Sequence, residues 1–343
     1  MSFLHIANTN FESELSASNP STVAALAQAH PIFMQLQFLP LLYGEPDDGL
    51  AVTHAPSPTF KTPRWHLLEE RNFPYERIES WGASPAIAAW AQTKKISYSM
   101  PDWDVVQTVN SKAFSFAASP KLPGAELIYS MDELITWERK TKGPKVLKTC
   151  FGVSGKGHLF LPSDHGKNFA EKEFSAGRPL IAEPWVERRL DFSTQWKIHP
   201  DQKIEYIGAT ICISDQRGRY SANKVGNLPF LFGSYFPFLE QHQETVFPIL
   251  QKMAAMGYFG NVGIDAMIWG NDKLQPVVEI NARKTMGWVA LQFAKVHFPK
   301  QTISLSYLTN SNLPNLLPDT LVQKNGSAIH LTRKLVVEQL LAK

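Results

Sequence analysis

The stretch GNVGIDAMIWGNDKLQPVVEINARKTMG, residues 260–287, decides the fold. It is rich in β-formers, is broken once by the turn-forming GNDK, and reads as a β-hairpin. Glu279 and Asn281 lie two residues apart, so on a strand both face the same side, while Asp265 sits on the partner strand. A three-residue loop, Asn271 to Lys273, places Asp265 directly across from Glu279. A two-residue loop turns it to the other face. If the two carboxylates act together, the loop is odd in length or the hairpin carries a bulge. Two carboxylates and an amide oxygen on one face are hard oxygen ligands suited to Mg²⁺, which takes one or two carboxylates together with substrate phosphates. Without a cation, the two acids side by side repel. Arg283, two residues beyond Asn281, has a planar fork that matches a carboxylate or an acyl phosphate.

Working back along the chain, VLKTCFGVSGKGHLFL (146–161) sets Lys148 on a strand, then a loop of three glycines with Lys156, then a second strand. Glycine lets backbone N–H groups crowd around an anion, so such loops hold phosphate. It is not a P-loop: Gly157 follows Lys156 where Ser or Thr is required, and Cys150 stands where the first glycine belongs. No helix pattern follows it, which excludes a Rossmann fingerprint. VNSKAFSFAA (109–118) reads as a short helix bearing Lys112. In SMDELITWERK, Ser130 and Glu133 form a capping box. RPLIAEPWVERRLDFSTQWKI (178–198) reads as two strands broken at Glu183-Pro184. Residues 244–258 form a helix kinked or started near Pro248 and ended near Gly257.

Residues 1–105 mix short apolar runs with loops. FMQLQFLPLLYG (33–44) alternates as a strand does. ESWGASPAIAAWAQ (79–92) reads as a strand end, a glycine turn and a helix, with Ser84 as cap and Pro85 in the first turn. That is the pattern of an open α/β lobe, whose helix N-terminus can receive a carboxylate or phosphate. In the tail, IHLTRKLVVEQLLAK (329–343) is an amphipathic helix candidate, placed either to cover an acceptor site or to pair two copies as a homodimer.

Composition bounds the alternatives. The 343 residues are 44% hydrophobic and 19% charged, as expected of a soluble globular protein of two or three lobes. A net charge of +3 without any dense Lys/Arg block leaves no footprint for nucleic acid. Two cysteines, Cys150 and Cys212, make neither a metal spacing nor a disulfide framework, which suits a reducing cytoplasm. The N-terminus lacks the features of a signal peptide, and the run from Pro31 to Tyr43 is too short to cross a bilayer.

The order of Lys112, Lys148, GVSGKG, the hinge EPWV, GIDAMI and EINAR over about residues 106–290 resembles the ATP-grasp superfamily of carboxylate–amine and peptide ligases. The resemblance implies an α/β (α+β) chain in which two lobes containing antiparallel sheets clasp ATP, preceded by a small open α/β lobe. The divisions are 1–105, 106–300 with 143–186 as a mobile lid, and 301–343 as an extension that the resemblance does not reach. It implies that Glu183 accepts from the adenine amino group, that the backbone of Trp185 and Val186 reads the adenine edge, and that Glu187 or Asp191 holds the ribose. Lys112 and Lys148 hold phosphates beneath the loop containing Gly152, Ser154, Gly155 and Gly157. Asp265, Glu279 and Asn281 bind Mg²⁺ or Mn²⁺. Arg283 and Lys148 act on the transferring group, and Arg283 with the Gly82–Ser84 turn meets the substrate carboxylate. The implied chemistry joins a small-molecule carboxylate, activated as an acyl phosphate, to an amine. A small-molecule kinase and a non-catalytic nucleotide-binding protein are the alternatives. No membrane partner is expected.

Overall fold

The computed structural model describes residues 2–17, 21–62, 64–152, 158–215 and 220–341. The N-terminal lobe is built on a parallel sheet whose strands lie in the order Trp65–Leu67, Gly49–Val52, Phe3–Ile6, Arg77–Ser80. The last strand feeds the helix Pro85–Lys94. Ser84 Oγ accepts from the Ile87 N–H at 3.3 Å, Pro85 occupies the first turn, and Lys95 closes the helix in the left-handed region at φ 56°. This is the open α/β arrangement that the Ser84-Pro85 pattern implies.

The run 33–44 is helical instead of a strand, as Pro31–Leu36 followed by a 3₁₀ turn at Leu39–Leu42. Met34, Phe38 and Leu42 are buried at a spacing of four, which is a helical stripe hidden inside an apparent alternation. The glutamines that broke the apolar pattern also point inward. Gln35 Nε2 donates to the Pro318 carbonyl at 2.8 Å, and the Tyr307 hydroxyl donates to Gln35 Oε1 at 2.5 Å.

A seven-stranded antiparallel sheet forms the centre, in the order Lys273–Asn281, Gly260–Trp269, Arg188–Ile198, Ile204–Ser214, Tyr220–Val225, Thr302–Leu308, Lys334–Leu340. The helix Pro237–Ala255, which contains Pro248, buries Val246, Ile249, Leu250 and Met253 in the same core as Val262, Ile264 and Ile280. The helix Met286–His297 packs over the strands Ile204–Ser214 and Tyr220–Val225. The tail is a strand where an amphipathic helix was expected. Lys334–Leu340 pairs with Thr302–Leu308, and Leu335 and Val336 are adjacent yet both fully buried. Consecutive buried apolar residues suit a strand covered on both faces, and the open sheet edge supplies the hydrogen bonds. Ahead of it, Thr320–Val322 bridges Ala328–His330 and Ala55–Pro56, stitching the tail to the N-terminal lobe.

A smaller antiparallel sheet, in the order Glu126–Ile128, Leu180–Pro184, Lys145–Thr149, His158–Leu161, stands beside the central one. Helices Met131–Lys140 and Asp164–Ser175 cover it through Leu134, Trp137 and Ala170. Ser130 Oγ accepts from the Glu133 N–H at 3.2 Å, but the returning Glu133 carboxylate takes the Tyr129 N–H at 2.7 Å, one residue before the cap. Among the described residues no helix is long and apolar enough to cross a membrane.

Trp137 is fully buried and donates its indole N–H to the Gly124 carbonyl at 2.7 Å. Trp137→Ala is expected to destabilise the small sheet by about 3–5 kcal/mol. Hydrogen exchange should show protection lost in 126–184 and retained in the central sheet. Uniform loss in both would contradict a separate small core.

Candidate functional site

The hairpin register sets the site. Trp269 pairs with Lys273, so the loop is three residues long but spans 270–272, one position earlier than anticipated. Gly270 and Asp272 take it up at φ 55° and 54°. That loop alone would set Asp265 opposite Val277. The strand then carries Pro276, Val277 and Val278 against the single Ala266, and the two extra residues bring Glu279 directly across from Asp265. Pro276 fits there because it has no N–H to leave unpaired. Gln275 braces the bulge by donating to the Val277 carbonyl at 2.9 Å and the Pro120 carbonyl at 2.7 Å.

Around this pair the polar groups interlock. Asn281 Nδ2 donates to Asp265 Oδ2 at 3.0 Å, and Arg283 Nη2 donates to Asn281 Oδ1 at 2.9 Å. Lys112 Nζ lies 2.6 Å from Glu279 Oε1. It starts the helix Lys112–Ala118, whose first N–H donates to the Cys150 carbonyl at 2.8 Å, beside the glycine loop. Lys148, in the small sheet, pairs with Glu183 Oε2 at 2.5 Å. Lys112, Lys148, Ile181, Glu183 and Val277 line one narrow pocket between the two sheets. The lysines called from sequence therefore do converge with the hairpin.

The charges divide the two acids. Burial raises the Asp265 carboxyl to about 6, with the neighbouring Glu279 charge adding to the shift. Burial also pushes Glu279 upward, but Lys112, then Arg283 and Lys148, outweigh it and hold its carboxyl below the usual range. One acid is thus paired to a lysine, and the other retains its proton more readily. The donor chemistry fits a hard divalent cation: two carboxylates and an amide with a second oxygen lone pair on one face. Among the described residues no three His, Cys, Asp or Glu side chains converge, so such a cation needs oxygen atoms from a substrate as well.

Other candidates fall into place unevenly. Ser154, Gly155 and Gly157 lie outside the described residues, while Gly152 offers its carbonyl to Lys112 at 3.4 Å. Glu183 accepts from Lys148 Nζ at 2.5 Å. The Trp185 N–H donates to the Pro144 carbonyl at 2.8 Å, so it is already used within the chain; its ring is flanked by Arg188 and Phe160. Val186 follows it, half-buried, in the hinge between strands. Glu187 is 69% exposed and pairs with Arg189, whereas Asp191 is 20% exposed, pairs with Arg188 at 3.0 Å, and shares a face with Ser193 and Asp265. Gly82 and Ser84 are both engaged within the fold. A side chain at 82 would collide with the Phe11 ring, and the buried Ser84 hydroxyl donates to Glu14 Oε2 at 2.6 Å. Glu14 also accepts from the Ala86 N–H at 3.1 Å, so the carboxylate expected at this helix N-terminus is the chain's own.

Two acids of the N-terminal lobe join the site without any motif to announce them. Glu12, buried, pairs with Arg283. Glu79 lies 2.8 Å from the ammonium of the fully buried Lys284, which also donates to the Ser80 carbonyl at 3.1 Å. Glu12 carries a further buried oxygen with no hydrogen-bond partner, and burial pushes its carboxyl up despite Arg283. The signal available in sequence was slight: an acid six residues after the first strand and a lysine following the arginine.

A metal held at Asp265 would compete there with a proton. Its carboxyl is raised, so the folded protein favours the protonated form. That favourable contribution is complete below the ordinary value near 3.8 and is lost as pH rises through about 6. Mn²⁺ binding, followed by calorimetry, is therefore expected to weaken by up to about tenfold per pH unit below 6 and to level off above it. Asp265→Asn should remove that dependence. A flat profile in the unaltered protein would contradict the assignment.

No family profile matches the chain. A curated relative, the [butirosin acyl-carrier protein]–L-glutamate ligase of Niallia circulans, is 28% identical over 148 residues, 41% of this chain, and the chain spans only 33% of that relative's length. Solved structures match over far more of the fold. N5-carboxyaminoimidazole synthetase from Staphylococcus aureus, complexed with ADP, is similar at a TM-score of 0.56 and 11% identity, covering 99% of this chain and 93% of its own. The corresponding ribonucleotide synthetase from Thermus thermophilus gives 0.53 and 14%, covering 98% and 92%. The biotin carboxylase domain of Hydrogenobacter thermophilus 2-oxoglutarate carboxylase, in complex with MgADP and bicarbonate, gives 0.52 and 14%, covering 77% and 70%. These neighbours share the two-sheet arrangement described above. The chain is thus similar in fold to these proteins of the ATP-grasp fold.

Proposed function

We propose that the protein is an ATP- and Mg²⁺-dependent ligase that activates a carboxylate as an acyl phosphate and joins it to an amine, releasing ADP and phosphate. The observation that carries this reading is that Lys112 and Lys148 line one narrow pocket while Lys112 also pairs with Glu279, on the face shared with Asp265 and Asn281. When bound, Mg²⁺ supplies positive charge at the β- and γ-phosphates.

The chain's own groups would act by position and charge. Lys148 and Lys112 exchange their carboxylate partners for phosphate oxygens, which frees Glu279 for the cation. Lys148, held by Glu183 until then, approaches from the small sheet. Adenine would sit by the 183–186 hinge, reading the backbone of Val186 and the Trp185 carbonyl, with Asp191 rather than Glu187 on the ribose because it faces the site. Gly152 and the loop after it would cover the phosphates and exclude water from the acyl phosphate. Arg283, still held by Asn281 but released from Glu12, would hold the carboxylate in line with the γ-phosphorus. The carboxylate oxygen attacks phosphorus as ADP leaves, and the amine nitrogen then attacks the carbonyl carbon as phosphate leaves. In this reading 1–105 helps to bind the acid and 143–186 moves as a lid. The relative's name, an acyl-carrier protein–L-glutamate ligase, makes L-glutamate and a carrier-bound acyl group the first candidates.

The test is ADP and phosphate release with Mg-ATP across amino acids, L-glutamate included, and small carboxylic acids, singly and in pairs. Release that requires an acid plus an amine is the expected result. A phosphorylated product without free phosphate would contradict ligation. Glu279→Gln should lower turnover by about 10³-fold with the thermal transition preserved. Full activity in that variant would remove the metal assignment.

A further inference from the structure

A second concavity, of about 730 Å³, is lined in part by Glu79, the partner of Lys284. That volume lies within the range of small-molecule sites. It forms where the N-terminal lobe, the ends of the central strands and the helix Met286–His297 meet. Its relation to the proposed reaction centre follows from one strand. Asn261 lines the cleft, and Gly263 and Asp265 follow on the same face, so Asn261 lies about 13 Å along the strand from Asp265. Thr285 and Gln195 close the gap between the two: Thr285 Oγ1 donates to Gln195 Oε1 at 2.8 Å, and both crowd Gly263 so tightly that a Cβ there would lie 2.6 Å from Thr285 Cγ2. An occupant of the cleft therefore does not touch the carboxylate pair.

The lining specifies the chemistry. Its two acids are already committed, Glu79 to Lys284 at 2.8 Å and Glu205 to His199 at 2.8 Å. Its three lysines, Lys197, Lys295 and Lys300, make no ion pair within 4 Å among the described residues. The uncommitted charge is thus positive. Trp288 and Leu291 from the helix, with Phe298 beyond it, supply an apolar wall. The Trp288 ring is held edge-on by Tyr43 at 4.8 Å and faced by the Lys284 ammonium at 5.2 Å. A rigid aromatic wall beneath unpaired cations suits a flat apolar body that carries an anionic group.

We infer that this cleft is a second small-molecule site, taking an organic anion with an aromatic or branched apolar body. The inference goes beyond the nucleotide reading and stands or falls separately from it. The occupant lies against Glu79, the carboxylate that fixes Lys284, and Lys284 is the residue next to Arg283.

The Trp288 indole N–H, buried without an acceptor, is the reporter. Its amide-type signal in a ¹⁵N-labelled sample is assigned with Trp288→Phe, and indole-3-acetate, phenylpyruvate, inorganic phosphate and the neutral indole-3-acetamide are titrated in turn. At least one aryl carboxylate is expected to shift it saturably, at least about tenfold more tightly than the neutral amide. The pair Lys295→Glu and Lys300→Glu should weaken that binding by about tenfold or more, while the response to Mg-ATP in the same sample is unchanged. The inference is overturned if no probe moves the signal at millimolar concentration, if the neutral amide binds equally, or if charge reversal leaves the affinity as it was. Failure of Mg-ATP alone to perturb the spectrum bears on the nucleotide site and not on the cleft.

Discussion

Like charges directly opposed across an antiparallel pair destabilise a sheet, and the register places Asp265 against Glu279 in that way. The surrounding structure is arranged to offset this repulsion. Lys112 is brought from a separate helix to Glu279, Asn281 donates to Asp265, and Arg283 leans on Asn281 from two residues further on. One carboxyl of the pair raised and the other depressed is the expected state of two coupled acids of which one is paired with a lysine. A buried cluster with this arrangement is weak as a device for stability and costs several interactions to maintain. That cost is understandable if the cluster binds a metal and phosphate.

The N-terminal lobe takes part in the same network. Arg283 and Lys284 are consecutive, leave the end of the hairpin together, and each meets an acid of the other lobe, Glu12 and Glu79. Removing either acid would leave a buried cation without its partner, which is costly. The two lobes are thus joined by charge at the residues nearest the proposed reaction. If Arg283 holds the substrate carboxylate, as proposed, the buried Glu12 carboxylate competes for it and the pair must open.

How much of this was legible in the sequence depended on how local the cause was. Ser84-Pro85, the Ser130 cap and the hairpin around GNDK are decided by a few neighbouring residues, and they read correctly. The bulge at Pro276 to Val278 was only half legible: the need for an odd loop or a bulge followed from the two carboxylates, while the structure uses both at once. Residues 33–44 misled because Gln35, whose buried partners lie hundreds of positions away, and Gln37, which accepts from Thr53, look like the polar half of an alternation. The tail misled for a similar reason, since LVVEQLL is compatible with a helix until a sheet edge is present to pair with it. Glu12 and Glu79 had no local signature at all, because their partners are brought in by tertiary folding.

The most direct measurement is the affinity of a non-hydrolysable ATP analogue with and without Mg²⁺, in the unaltered protein and in the Asp265→Asn, Glu279→Gln double variant. If the hairpin holds the metal that bridges to the phosphates, Mg²⁺ tightens binding in the unaltered protein by about tenfold or more and has no such effect in the double variant. Equal tightening by Mg²⁺ in both would contradict a metal–nucleotide site built on this carboxylate pair.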